Sequence, residues 1–263
     1  MPTIDLNADL GEGFGCWRIG DDRALMKIVT SANVACGGHA GDPETMYETA
    51  TMARQYNVAI GAHPGFADKE GFGRRRLLLS AKEIERLVAT QVGALIGAAA
   101  LTGAVVAYVK PHGALANWAA ENAEIAGAII NAVKAVDPAL AILAISGTDL
   151  DRTARKLGVA TYSEIYADRA YDKNGHLVSR HLPGAVIHHE AEILNRLRSF
   201  IDSGKMHTVE GHRIDLQAHS VCIHGDTPGA IEIARSVRVL LEDAGWAVKP
   251  FSKDHSQFLF ARR

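Results

Sequence analysis

The sequence predicts a single α/β domain folded as a closed β/α barrel of the TIM-like kind. First, a length of 263 residues suits one α/β barrel. Second, seven short apolar segments alternate with amphipathic helical segments, which is typical of a parallel sheet. Third, polar residues follow the ends of these segments, where barrel enzymes carry their chemistry. An open doubly wound sheet is the alternative, and the chain length favours the barrel.

The first predicted strand, residues 4–10, has an unusual polar face. Its apolar residues alternate with Asp5, Asn7 and Asp9, and it runs into a Gly-Glu-Gly turn at residues 11–13. An unsatisfied polar group in a buried strand costs about 2–7 kcal/mol. These side chains must therefore be paired or bind something, and we expect this strand to form one wall of an active site.

The remaining strands follow at regular intervals, at residues 30–37, 58–60, 105–109, 141–145, 162–166 and 220–223. Capping signals mark the helices between them: Asp42 before Pro43, and a capping box of Ser80 with Glu83. One helix is predicted over residues 117–136, and Thr227 with Pro228 is predicted to cap the last long helix. One further strand is predicted at residues 246–251.

Residues 172–218 interrupt the alternation of strands and helices. They contain a helical pattern at residues 190–203 and a hairpin signal at residues 210–211. No linker, repeat or low-complexity segment divides the chain. We therefore expect residues 1–263 to form a single β/α-barrel domain with an insertion at about residues 172–218.

Composition excludes several classes of partner. The net charge is −2, and the basic run at residues 74–76 is too short for a nucleic-acid footprint, so neither nucleic acid nor an anionic membrane is expected. The start of the chain lacks the features of a signal peptide. Three cysteines without a CxxC pair argue against a disulfide framework, and Cys36 and Cys222 are predicted to be buried small residues. A cytoplasmic location is expected.

Acids, amides, imidazoles and cations collect at the predicted strand ends. A single histidine is usually structural, but histidines at matching topological positions indicate a shared site. The residues at these ends are Asp9, Glu12, Asn33, His39, His63, Lys110, His112, Asp168, Arg169, His224 and Asp226.

Asp9, His63 and His112 form a plausible facial set for a divalent metal ion. A metal-free cluster that acts as general acid and base is the alternative, and the residues alone leave both open. No Walker A motif occurs, and the turn at residues 11–13 is too little for a dinucleotide fingerprint.

Three cationic positions suit an anionic substrate. Lys110 precedes a proline at a strand end, and Arg74 and Arg75 lie on a Gly-hinged loop that suits a clamp for carboxylate or phosphate. A solvated loop is the alternative for the two arginines. Asp168 and Arg169 either contact substrate or form an internal ion pair.

Seven segments resemble the signatures of the LamB/YcsF family and occur in its order over nearly the whole chain. Ala116 and Tyr166 depart from the family's common residues without touching a predicted site residue. The segments are DLNADLGEG at 5–13, SANVACGGHAGDP at 31–43, IGAHP at 60–64, GFGRR at 71–75, VKPHGAL at 109–115, YADRAY at 166–171 and IHGD at 223–226.

The resemblance implies a seven-stranded β/α (TIM-like) barrel of the glycoside hydrolase/deacetylase type. It also implies the role of the A-subunit in an ATP-dependent 5-oxoprolinase, which opens 5-oxo-L-proline to L-glutamate together with 5-oxoprolinase subunits B and C. The lack of a phosphate loop suggests that the partner subunits use ATP as co-substrate and phosphorylate the substrate oxygen. This chain would then hydrolyse the activated ring.

The family resemblance implies roles for the predicted site. Asp9, His63 and His112 would activate water, directly or through a divalent metal. His39 and His224 with Asp226 would move protons. The groups expected to bind carboxylate or phosphoryl oxygens, or otherwise to contact substrate, are Lys110, Arg74, Arg75, Asn7, Glu12, Asn33, Asp168 and Arg169.

Two other functions are compatible with the sequence. One is a stand-alone metal-dependent deacetylase or amidohydrolase acting on a small amide or sugar. The other is a non-catalytic scaffold or small-molecule-binding subunit of a transporter, which predicts tolerance of charge loss at the strand ends.

Overall fold

The structure is a computed structural model that describes residues 1–225 and 229–252. Its ten strands are β1 (Thr3–Leu10), β2 (Ser31–Ala35), β3 (Ala59–His63), β4 (Val106–Val109), β5 (Ala141–Ile145), β6 (Thr161–Tyr166), β7 (Lys205–His207), β8 (Arg213–Asp215), β9 (Ser220–Ile223) and β10 (Ala247–Val248).

Seven of these strands close into a parallel barrel. They run in the order β1 to β6 and then β9, which pairs again with β1. Asn7 of β1 lies opposite Ser31 on one side and Cys222 on the other, so the first strand closes the ring. The predicted seven-stranded β/α barrel is confirmed, with strand positions that match the predictions closely.

Eight helices connect or flank the described strands: α1 (Asp22–Met26), α2 (Pro43–Tyr56), α3 (Ala81–Thr102), α4 (Gly113–Glu121), α5 (Ala123–Val136), α6 (Asp149–Lys156), α7 (Glu190–Ser203) and α8 (Ala230–Asp243). The predicted caps of α2 and α3 are confirmed. The Asp42 side chain accepts a hydrogen bond from the Thr45 amide at 2.8 Å, and Ser80 with Glu83 forms a capping box. The short helix α1 was not predicted.

The single helix predicted over residues 117–136 is wrong. The chain instead forms α4 and α5, which meet at Asn122. The Asn122 side chain accepts hydrogen bonds from the amides of Glu124 and Ile125, at 3.0 and 3.1 Å. Asparagine favours such an N-cap over a helix interior, and this preference restarts the helix.

The segment at residues 172–218 contains α7 and the antiparallel pair β7–β8, whose connection includes the predicted turn at residues 210–211. The strand predicted at residues 246–251 is restricted to β10. This short strand pairs with the start of β1 outside the barrel, with Thr3 opposite Ala247. The predicted cap at Thr227 and Pro228 lies outside the described residues.

Helix α3 is long and apolar enough to cross a membrane, judged by length and composition alone. It belongs instead to the outer helix layer, where it packs beside α2 and α5. Ile84, Val88, Val92 and Leu95 recur at helical spacing and are fully buried in the hydrophobic core. Packing against the barrel therefore explains this buried stripe, whereas only 28% of the helix's apolar 18-residue window is buried.

The inside of the barrel is polar near β1. Asp5 accepts hydrogen bonds from Ser31 Oγ and Thr30 Oγ1, both at 2.6 Å, and burial raises the pKa of Asp5 to about 6. Tyr108 fills space across the barrel and donates a hydrogen bond from its hydroxyl to Asn33 Oδ1 at 2.7 Å. The polar face of the first strand thus points into the barrel.

Gly61→Ala is expected to lower the free energy of unfolding by about 1–3 kcal/mol or more, the usual range for overpacking. A Cβ at Gly61 would clash with the fully buried Tyr108 ring. Urea unfolding followed by circular dichroism measures the change. The matched control is Gly93→Ala on α3, where an added Cβ meets no atom within 4 Å, and we expect about 0.5–1 kcal/mol of stabilisation. Equal stability of the Gly61 variant and the wild type would contradict the packing assigned to Tyr108.

Candidate active site

A cleft of about 520 Å³ opens at the carboxyl ends of the barrel strands. Two predicted arginines, Arg74 and Arg169, line it together with four predicted acid–base residues: Asp9, His63, His112 and His224. The latter four come from β1, β3 and the segments after β4 and β9, so the parallel barrel brings together residues that are far apart in sequence. The cleft is therefore the candidate active site.

Asp9 is held by the buried ammonium of Lys110. Lys110 Nζ donates to Asp9 Oδ1 at 3.1 Å, and Asn33 Nδ2 donates to the same oxygen at 2.8 Å. Burial raises the pKa of Asp9, but the charges of His63 and Lys110 outweigh this effect and hold the pKa well below its usual range. Asp9 is therefore an ionised carboxylate, and its Oδ2 lies 3.4 Å from His63 Nε2.

Lys110 is buried within the site. Its Nζ lies 3.2 Å from Glu164 Oε2 and 3.0 Å from Cys222 Sγ, in addition to its contact with Asp9. Burial lowers the pKa of Lys110, but the neighbouring acidic groups, led by Asp9, raise it well above its usual value. The ammonium is therefore already paired with two carboxylates of the site, Asp9 and Glu164. This placement favours a role in positioning Asp9 over direct binding of a substrate anion.

Glu164 is a site residue that the sequence analysis missed. It is buried, pairs with Lys110, and accepts a hydrogen bond from the Tyr166 hydroxyl at 3.1 Å. Tyr166 in turn stacks on His224 with ring centroids 5.3 Å apart. The sequence contained a signal for it. Glu164 shares one face of its strand with Tyr162 and Tyr166, as Asp5, Asn7 and Asp9 share one face of the first strand.

A second cluster, the Glu–His quartet, consists of Glu12, His39, His63 and His112. All four residues are buried, and one potential metal-ligand atom from each lies within 4.8 Å of the others. His39 Nε2 is 3.2 Å from Glu12 Oε1, and His112 Nδ1 is 3.6 Å from the same oxygen. His39 and His112 stack with ring centroids 3.6 Å apart. Asp9 adjoins the quartet through His63.

Backbone carbonyls fix the tautomers of two quartet histidines. His63 donates its Nδ1 hydrogen to the Lys110 carbonyl at 2.7 Å, and His112 donates its Nε2 hydrogen to the Phe72 carbonyl at 2.9 Å. When both rings are neutral, they present lone pairs at His63 Nε2 and His112 Nδ1, which lie 3.0 Å apart. A proton or a cation shared between these atoms removes the repulsion. Such carbonyl-anchored histidines are typical of metal ligands.

Protonation of two quartet histidines, His39 and His112, is disfavoured. Burial, together with the charges of nearby histidines, lowers the pKa of His39 and His112 well below its usual value. Neutral imidazoles are the form that binds metal ions, and Glu12 adds a carboxylate oxygen to the cluster. The donor set of one carboxylate and three imidazoles therefore fits a divalent cation such as Zn²⁺. This result supports the metal alternative, with Glu12 and His39 beside His63 and His112.

His224 and Asp168 form a second functional pair. His224 Nδ1 donates to the two carboxylate oxygens of Asp168, at 2.9 and 2.8 Å. Burial raises the pKa of Asp168, but the charge and hydrogen bond of His224 lower it overall, so the carboxylate stays ionised. This hydrogen bonding fixes the orientation of the His224 ring and of its other nitrogen. His224 itself lines the cleft. Asp226 lies outside the described residues.

The three predicted arginines occupy different positions. Arg74 lines the cleft and lies against the Phe72 ring, with the guanidinium carbon 4.9 Å from the ring centroid. Arg75 is largely exposed and pairs with Asp68 outside the cleft lining. Arg169 is buried and donates to the carbonyls of Ala185 and Val178, so it organises the loop after β6.

The predicted amides lie deeper than the cleft. Asn33 Nδ2 donates to Asn7 Oδ1 at 2.7 Å, and Asn7 Nδ2 donates to Ser220 Oγ at 2.7 Å. Both residues are fully buried inside the barrel. Their contacts place them beneath Asp9, where they support it. Cys36 and Cys222 are buried, as predicted.

Comparison with known proteins agrees with this architecture. The model of the LamB/YcsF family matches residues 4–256, which is nearly the whole chain. The chain belongs to the LamB/YcsF family. One relative, the 5-oxoprolinase A-subunit of Rhodopseudomonas palustris (strain BisB5), is 51% identical over 251 residues, which cover 95% of this chain and 99% of that protein.

Solved structures support the same family and fold. The lactam utilization protein from Thermus thermophilus has a TM-score of 0.87 and 41% identity, covering 94% of this chain and 99% of that one. A T48 deacetylase has a TM-score of 0.50 and 14% identity, covering 99% of this chain and 91% of that chain. This distant likeness concerns the fold alone, and it agrees with the predicted deacetylase-type barrel.

Proposed function

We propose that this LamB/YcsF chain catalyses the hydrolytic opening of a cyclic amide, 5-oxo-L-proline, to L-glutamate as the A-subunit of a 5-oxoprolinase. The observation that carries the proposal is the cleft in which ionised Asp9 meets His63, His112 and His224. Water attack on an amide needs groups that accept and deliver protons, and Asp9 and His224 would supply them. The names of the relatives at about 50% identity support lactam as the substrate class.

The proposal includes ATP coupling through partner chains. ATP would be the co-substrate of 5-oxoprolinase subunits B and C, which would phosphorylate the lactam oxygen, and this chain would hydrolyse the activated ring. The absence of a Walker A sequence in the chain supports this division of labour. The relatives are named as one lettered component of the enzyme, which supports the existence of further subunits. A cytoplasmic location remains part of the proposal.

Asp9 is placed to accept the proton of the attacking water. Its Oδ1 is bound by Lys110 and Asn33, while Oδ2 faces His63. Because Lys110 keeps the pKa of Asp9 low, the carboxylate is ionised before water is bound. Proton transfer to a positioned side chain contributes about 10²–10⁴-fold to a rate.

His224 is placed to deliver a proton to the leaving ring nitrogen. Asp168 holds its Nδ1, so the opposite nitrogen is the one that exchanges protons in the cleft. Asp168 also stabilises the imidazolium form that must exist before the proton is given up. Water attack and departure of the nitrogen thus use two different pairs, Asp9 with Lys110 and His224 with Asp168.

The Glu–His quartet would hold a divalent metal ion. Glu12, His39, His63 and His112 are its proposed ligands, since they offer one carboxylate and three imidazoles in a buried cluster. When bound, such an ion polarises a carbonyl oxygen or lowers the pKa of water. The chain's own residues, Asp9 and His224, still accept and deliver the protons.

The test is a reconstituted assay of the full chain with its candidate partner chains and ATP. We expect glutamate release from 5-oxo-L-proline only when this chain, the partners and ATP are all present. Glutamate release by the partners without this chain would refute the proposal. Elemental analysis of the same preparation would report the bound metal.

Glu164→Gln is expected to lower kcat by up to about 100-fold with little change in KM, the effect of a misplaced reacting group. Without Glu164, the charge of Lys110 acts on Asp9 alone and lowers the pKa of Asp9 further. The acidic limb of the kcat–pH profile should therefore move to lower pH, and Glu164→Asp should restore part of the rate. An unchanged profile would exclude a positioning role.

The second candidate function is a stand-alone metal-dependent amidohydrolase or deacetylase, which the quartet favours. It predicts hydrolysis of a small amide or acetylated sugar by the lone chain, without ATP, in proportion to the bound metal. The 5-oxoprolinase proposal predicts no turnover under those conditions. Assay of the isolated, metal-loaded chain on both substrate classes separates the two.

A further inference from the structure

The candidate cleft contains an arginine, Arg180, that has no role in the proposed proton transfers or in the metal site. Arg180 lies in the segment between β6 and α7 and lines the cleft together with Asp9, His112 and His224. Its side chain is half-buried. Two other arginines, Arg74 and Arg169, line the same cleft.

Arg169 is already committed to the protein backbone. Its Nη2 donates to the Val178 carbonyl at 2.6 Å, and its Nε donates to the Ala185 carbonyl at 3.1 Å. Burial lowers the pKa of Arg169 to about 10. Arg169 therefore stabilises the segment 178–185, which includes Arg180, through these hydrogen bonds.

That segment is held at both ends. Val178 N donates to the Ala170 carbonyl at 3.0 Å, and Ala170 N donates to the Ala185 carbonyl at 3.0 Å. Ile187 N donates to the Asp168 carbonyl at 2.8 Å, which ties the segment to the residue that orients His224. Arg180 thus projects from a fixed frame, and less conformational entropy is lost when it binds a ligand.

The described part of the chain offers Arg180 no hydrogen-bond or ion-pair partner. The positive charge of Arg180 acts on Asp168 and lowers its pKa, and it also acts on Arg169. Arg180 therefore lies close enough to the His224–Asp168 pair to influence its charge. The cleft lining contains four carboxylates. Asp9 is held by Lys110, and Asp172 accepts the amides of Asn174 and His176. The other two, Glu121 and Glu210, are exposed, and neither is paired with Arg180.

We propose that Arg180 is an anion-binding residue of the cleft and receives a carboxylate or phosphoryl group of the ligand. The inference rests on the proposed function for the identity of the ligand, since 5-oxo-L-proline carries a carboxylate and its activated form a phosphoryl group. A guanidinium binds either group through two parallel hydrogen bonds. The group would be fixed beside His224, which sets the orientation of the lactam ring.

Binding to the full chain, measured by calorimetry, tests the inference with three probes: 5-oxo-L-proline, 2-pyrrolidinone, which lacks the carboxylate, and inorganic phosphate. Arg180→Gln is expected to lower the affinity for an anionic probe by about 10- to 100-fold and to leave the affinity for 2-pyrrolidinone unchanged. Arg180→Lys should restore part of the affinity, since it keeps the charge but loses the bidentate geometry. Arg198→Gln, on the exposed face of α7, is the matched control.

Each outcome decides between named alternatives. Loss confined to 5-oxo-L-proline identifies the carboxylate as the ligand group, and loss confined to phosphate identifies the phosphoryl group. Equal affinities of the wild type and the Gln variant for both anions would overturn the inference. Arg180-dependent anion binding without glutamate formation in the reconstituted assay would uphold the anion site and refute the proposed 5-oxoprolinase activity.

Discussion

Asp9→Asn is expected to reduce glutamate formation by about 10²–10⁴-fold, the contribution of a positioned general base. The amide keeps the shape of the side chain but cannot accept the proton of the attacking water. The change also leaves Lys110 with one carboxylate fewer in a buried position, where loss of one partner costs about 3–5 kcal/mol. Steady-state kinetics on the reconstituted complex measures the rate, and thermal unfolding measures the stability.

Two variants separate chemistry from stability at Asp9. Glu164→Gln removes the other carboxylate from Lys110, so it should destabilise the fold to a similar degree with a smaller loss of rate. Asp215→Asn makes the same chemical change in a surface ion pair with Lys205 and should alter neither quantity. A rate loss at Asp9 no greater than that at Glu164 would contradict the assignment of Asp9 as the base.

His63→Ala is expected to reduce both metal content and activity more than any change outside the cleft and the quartet. Removal of supporting residues alone lowers metal affinity about 10–100-fold, and loss of a ligand should exceed that range. His63 also contacts Asp9, so its loss affects both clusters. Elemental analysis of the purified variant, with and without added Zn²⁺ or Mn²⁺, gives the metal content per chain.

His212→Ala is the control for this experiment, because His212 is exposed in the connection between β7 and β8, away from the quartet. It should bind metal and turn over like the wild type. Treatment of the wild type with a chelator should abolish activity, and added metal should restore it. A wild-type chain that is fully active after complete removal of metal would refute the quartet as a required metal site.

The barrel was predictable because its signals are local. Apolar strands, capping residues such as Asp42 and Ser80, and glycine-rich strand ends each follow from a few neighbouring residues. The convergence of Asp9, His63, His112 and His224 followed from topology, since parallel strands present their carboxyl ends at one edge. The helix break at Asn122 was not predicted. In a continuous helical pattern of apolar residues, an asparagine that caps a new helix cannot be distinguished from one on the polar face of a single helix.

Pairing of side chains across the barrel was not predictable. The sequence placed Lys110 at the site but could not reveal that Glu164 neutralises it, since the two residues lie on different strands and far apart in the chain. The metal set was predicted with Asp9, whereas the structure groups Glu12 and His39 with the two histidines. The sequence did not indicate a role for Arg180. It lies in an irregular insertion, where no periodic pattern predicts which way a side chain points.

The most direct test of the account is the ratio of ADP to glutamate formed by the reconstituted complex containing Asp9→Asn. The proposed function assigns hydrolysis of the lactam to this barrel and phosphoryl transfer to the partner chains. It therefore predicts continued ADP formation with glutamate formation reduced by about 10²-fold or more. Glutamate formation at the wild-type rate, or an equal loss of both products, would contradict it.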